Sequence, residues 1–149
     1  MNPLQLIILF LGRMCLSTIF ILSALNILVD WQGNQTLVTN ALSDMHQSPQ
    51  ISSVLDFASS HLTLVLVLGT MFQLVGGVFV FLGIRVRFGA LLLILFLIPY
   101  TILFYPFWLT PHDHVQKVMF LKNMSILGGL LILLAFGKGK VIKPKPVKE

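Results

Sequence analysis

The stretch His61–Arg87, HLTLVLVLGTMFQLVGGVFVFLGIRVR, carries no formal charge between Leu62 and Ile84. With a rise of about 1.5 Å per residue, a helix over those positions crosses a hydrocarbon core of roughly 30 Å. Gly69, Gly76 and Gly83 recur every seven residues, so they stack on one side of that helix, with Gly77 beside them. A neighbouring helix can lie backbone to backbone against such a groove, a main source of helix association in lipid. Gln73 sits in mid-span, a polar amide that needs a partner at that depth. Arg85 and Arg87 close the segment and mark the end that meets the cytoplasm.

Composition extends this to the whole chain. Of 149 residues, 56% are hydrophobic and only 10% charged, against about 25% charged in soluble domains. The net charge of +5 does not point to nucleic acid: five lysines fall in the last twelve residues, with no aromatic side chain among them to stack a base. A basic tail beside an apolar helix is a topology anchor that also touches anionic lipid. The single cysteine, Cys15, excludes an intramolecular disulfide and is expected to pack inertly. The N-terminal run holds Arg13 where a signal peptide is uncharged, so it is expected to be a retained first helix.

Four spans follow, at about residues 3–29, 61–84, 88–109 and 118–136, with an outer loop over 30–60. Within that loop, Thr36 to His46 suits a short interfacial helix, and Ser53-Val-Leu-Asp56 suits a capping box ahead of the second span. The loop between the second and third spans and the C-terminal tail hold Arg85, Arg87 and the five lysines. The other two loops hold Asp30, Asp44, Asp56 and Asp113 against Lys117. Positive-inside then puts both termini in the cytoplasm, and Trp31, Tyr105, Phe107 and Trp108 gather at the outer ends. The expectation is an all-α integral membrane protein: one four-transmembrane-helix bundle over residues 1–137 with N- and C-termini cytoplasmic, then a basic tail over 138–149.

Candidate site residues are the polar groups at membrane depth. Counted from the inner end of its own span, each of Arg13, Gln73 and Pro99-Tyr100 falls near the midplane. An arginine there costs several kcal/mol unless paired or wetted. Pro99 leaves the Leu95 carbonyl without its usual donor. Arg13 is therefore expected to donate to Gln73, to that carbonyl or to Tyr100, on an inward face shared with Ser17 and Ala24. Three readings stand: structural glue between helices, a polar cavity for an anionic or carbonyl-bearing ligand such as a quinone head group, or snorkelling. His61, His112 and His114 with Asp113 lie at the outer surface without the spacing of an established metal motif, so no metal is expected. No phosphate loop, CxxC or nucleophile elbow is present. Gly128 and Gly129 give the fourth span a small-residue packing face.

The succession Gly12-Arg13, Ile19-Phe-Ile-Leu-Ser-Ala-Leu25, Gln73-Leu-Val-Gly-Gly-Val-Phe-Val-Phe-Leu-Gly83, Arg87, Phe120 to Leu130 and Gly137-Lys-Gly139 resembles the DoxX family over roughly Leu11 to Lys140. Gln73 stands where that family often has an acidic residue, and Asn26 near a frequent lysine. The resemblance implies a four-helix protein of the bacterial inner (plasma) membrane. The family's namesake is the small subunit of a thiosulfate:quinone oxidoreductase; a related eukaryotic branch is a cargo receptor of the endoplasmic reticulum.

From residues and resemblance together, the expected function is a non-catalytic membrane subunit or scaffold associated with a quinone-linked redox complex. The alternatives are a quinone-binding oxidoreductase subunit and a small transporter. The expected surroundings are the lipid bilayer, a membrane or redox protein partner and a second copy of the chain. Quinone is the one candidate cofactor, and nucleic acid is not a partner.

Overall fold

The computed structural model of the protein describes residues 3–45, 52–108 and 113–137, with backbone alone at 52–54. These residues form α1 (Pro3–Val29), α2 (Trp31–Met45), α3 (Ser52–Ser60), α4 (Leu62–Leu82), α5 (Val86–Phe104) and α6 (His114–Phe136). Four of them, α1, α4, α5 and α6, are long and apolar enough to cross a membrane. The protein is an all-α integral membrane bundle.

α4 is the centre of the bundle, packed against α1 on one side and α5 on the other, while α6 packs against α5 and touches α1. Cross-helix contacts set the directions. Gly83 meets Arg13 while Gln73 meets Ser23, Gly76 meets Gly89 while Gly69 meets Phe96, and Thr101 meets Asn123 while Arg87 meets Ala135, so each of these neighbouring pairs is antiparallel. Both ends of the bundle sequence, Pro3 and Phe136, consequently lie at one end, together with Arg85 and Arg87. Asp30, Asp44, Asp56 and Asp113 lie at the other.

The inward face of α1 is the one expected, with Ser17, Phe20 and Ala24 buried. Cys15 on the same helix points outward instead. The main core joins Phe20, Val80, Val86, Ala90, Leu93, Ile94, Leu97, Leu130 and Leu133. A second cluster covers the aspartate end, where residues 30–60 were expected to be mainly loop. There Val38, Leu42 and Met45, spaced as one helical face, bring α2 down onto Leu55 and Leu66. α2 starts at Trp31, well before the expected Thr36. The side chain of Ser53, and with it the capping box, lies outside the described residues, as do His46, His112 and the tail from 138 onward.

The corner between α4 and α5 is tight. Gly83 adopts φ +71°, and its N–H and that of Ile84 return to the Val80 and Phe79 carbonyls at 3.2 and 3.0 Å. This is the paired closure that ends many helices on a left-handed glycine. Arg85 is also left-handed, at φ 46°, and α5 starts at once. At the far end α5 stops at Phe104, short of the expected Leu109, and Asp113 caps α6 by accepting from Val115 and Gln116.

Candidate functional site

The polar groups expected to share one layer lie on three. Arg13 reaches Gly83, where an added Cβ would sit 2.8 Å from Nη1. Gln73 lies ten residues up α4 from there, about 15 Å by helical rise. It donates through Nε2 to Ser23 Oγ at 3.2 Å, and its Oε1 is buried without a partner. The expected pairing of Arg13 with Gln73, the Leu95 carbonyl or Tyr100 is therefore corrected. The physical reason is axial offset. Depth was counted from the end of each span as though the ends were flush, but α1 slides past α4 and continues about 15 Å beyond Gly83. Along that extension Leu4, Leu6, Ile7, Ile8, Phe10 and Leu11 are 49–66% exposed.

Tyr100 belongs to a different feature. Gly76 against Gly89 and Gly69 against Phe96 fix the α4–α5 register, which sets Tyr100 opposite Val65 in the aspartate half of the bundle. There a half-open cleft of about 270 Å³ runs between α4, α5 and α2. Gly69 and Phe96 of its lining meet, Leu68 and Leu95 are about half exposed, and Asn34 and Val38 come from α2. Tyr100 stacks between Phe96 and Phe104, with ring centroids 5.3 and 4.7 Å away. Nearly all of the lining is hydrocarbon, so the cleft suits an apolar chain or ring with few polar groups.

The candidate packing glycines do not share one groove. Gly69 and Gly76 face α5, Gly77 faces α1, and Gly83 ends the helix under Arg13. Gly129 packs on Leu16 of α1, where an added Cβ would lie 3.2 Å from that leucine, while Gly128 has nothing within 4 Å. The α4–α5 contact depends equally on Gly89, whose added Cβ would lie 2.9 Å from the Gly76 carbonyl oxygen. Gly89 falls just beyond the heptad of glycines on α4, so scanning that helix alone misses it.

Two further polar contacts were not anticipated. Ser23 partners Gln73, and Asn123 donates to Thr101 Oγ1 at 3.1 Å, buried between α6 and α5. A polar amide in an apolar span was the available signal for Asn123, the same signal that singled out Gln73. Toward metals, the described residues hold no group of three or more His, Cys, Asp or Glu side chains. His61 stacks on Phe57 at 4.7 Å at the α3–α4 junction.

No solved structure matches this chain. The resemblance to DoxX is overturned, because the family model that matches belongs to a different membrane family. The shared motifs were short runs of Gly, Leu, Phe and Val, which lipid-facing and lipid-packed helices select repeatedly. The bacterial inner-membrane location and the redox link drew on that resemblance and lose its support. The match covers residues 51–145, more than half of the chain and including all of α4, α5 and α6. On that match the protein belongs to the SURF4 family of integral membrane proteins.

Proposed function

We propose that the protein is a non-catalytic membrane bundle that holds a partner at its aspartate end, taking an apolar part of it into the cleft between α4, α5 and α2. The observation that carries this is the cleft itself, about 270 Å³ of half-open, mostly hydrocarbon-lined space with Leu68 and Leu95 exposed in its lining. A packed bundle ordinarily keeps few voids larger than a water molecule. α2, which contributes to the lining, gives a partner outside the bilayer a surface continuous with that cleft. The test places a photoreactive side chain at Leu68 or Leu95 and identifies what it captures in native membranes. Gly69→Leu, which builds into the lining beside Phe96, should abolish capture of the same species. Equal capture by that variant would reject the cleft as the seat.

A quinone is the redox-active member of the same ligand class, and the Phe96–Tyr100–Phe104 stack favours a flat ring there. That second reading now runs through Tyr100 rather than Arg13. It expects quinone to co-purify with the protein and to be lost in Gly69→Leu but kept in Arg13→Leu.

A further inference from the structure

We propose that the corner formed by Arg13, Gly83 and Arg85 binds the phosphate of an anionic phospholipid, with the acyl chains lying along the apolar surface beside it. The seat for the first guanidinium is shaped by a glycine. Gly83 is left-handed at φ +71°, and an added Cβ would stand 2.8 Å from Arg13 Nη1, so a side chain at this position would displace the arginine. Arg13 Nε is buried there with no hydrogen-bond partner.

The protein does not supply a counter-ion from the described residues. Asp30, Asp44, Asp56 and Asp113 are all at the opposite end of the bundle, and the remaining acid, Glu149, lies in the undescribed tail among five lysines. Arg85 follows Gly83 by two residues, exposed and held by its own left-handed backbone at φ 46°. Arg87 is occupied differently: its Nη2 donates to the Ala135 carbonyl at 3.0 Å, and its side chain lies on Gly137 at the end of α6. Arg85, two residues from the glycine that seats Arg13, thus adds a second and exposed guanidinium to this end of the bundle, and such planar forks suit phosphate oxygens.

The surroundings select a lipid over a free anion. The corner ends the α4–α5 hairpin, which places it at headgroup level. Leu82 and Ile84 flank it at 59% and 52% exposed, and Val78 and Val75, at helical spacing from Leu82, continue an exposed apolar face from it toward mid-bilayer. A phosphate on the two arginines thus leaves its acyl chains against hydrocarbon. This site is distinct from the cleft, at the other end of the molecule.

Native mass spectrometry of the full-length protein in detergent micelles tests this. Phosphatidylglycerol, phosphatidylcholine and inorganic phosphate are titrated separately. Wild type should retain phosphatidylglycerol about tenfold more strongly than phosphatidylcholine. Arg13→Gln and Arg85→Gln should each remove that preference, and Arg13→Lys should weaken it. Replacing the five tail lysines by glutamine should leave it in place. Because Arg85 is exposed, Arg85→Gln folds even where an Arg13 variant does not. Undiminished preference in Arg85→Gln, loss of it in the tail variant, or equal retention of inorganic phosphate would each overturn the proposal.

Discussion

At Gly83 a left-handed backbone and a guanidinium from α1 occupy one small volume, so an alanine there meets two separate penalties. The backbone conformation alone costs an L-residue about 1–2 kcal/mol, and the methyl group must also displace Arg13 Nη1. Gly83→Ala is expected to lower unfolding stability in micelles by at least the first amount. Combining it with Arg13→Ala should recover only the steric part, so full recovery would show the backbone to be unstrained. Gln73 makes the opposite case. Its amide is buried with one atom already unpaired, and removing Ser23 Oγ would leave its other end unpaired too. Ser23→Ala should therefore cost about 1–3 kcal/mol, whereas Gln73→Leu should be neutral or stabilising. Thermal unfolding of the two variants side by side decides it, and a larger loss in Gln73→Leu would show that the amide has a partner elsewhere.

Between elements, the closest approach is α4 on α5, where Gly76 and Gly89 bring backbone against backbone. Nothing flexible can yield there, so Gly89→Leu should push the helices apart and cost at least the roughly 1–3 kcal/mol typical of overpacking. Gly128→Leu is the control, since nothing lies within 4 Å of its added Cβ. Unfolding measurements should separate the two variants clearly, and equal losses would mean that any large side chain harms the bundle. The Asn123–Thr101 contact holds α6 to α5 more gently. Asn123→Ala should cost near the ~0.6 kcal/mol average for such bonds in lipid, and a Thr101→Val, Asn123→Leu pair should restore most of it.

For the whole molecule, antiparallel packing places Pro3 and Phe136 at the arginine end and α2 and α3 at the aspartate end. Reporter fusions after the tail and within residues 46–51 should therefore appear on opposite sides of the membrane, with the tail in the cytoplasm. The same side for both would contradict the four crossings. The two ends also differ in chemistry. The aspartate end has the cleft and its helical cover, and the arginine end has guanidinium groups seated on left-handed glycines. A partner bound at one end and a lipid phosphate at the other would not compete.

How many times the chain crosses, which end carries the positive charge and which face of α1 turns inward were all legible in the residues. Each is a property of a single helix: its length against the hydrocarbon thickness, its flanking charges, and the spacing of Ser17 and Ala24. Axial offset was not legible. An apolar helix has the same composition wherever it sits along its neighbour, so hydropathy cannot report where Arg13 falls relative to α4. Contacts between distant residues decide that, namely Gly77 on Ile21, Gly83 on Arg13 and Gln73 on Ser23. The family was hidden for a related reason, since short glycine and leucine motifs arise wherever helices pack in lipid. Local hydrophobicity thus specified the membrane bundle, while close packing across helices placed Arg13 at a corner, Tyr100 in a cleft, and the two far apart.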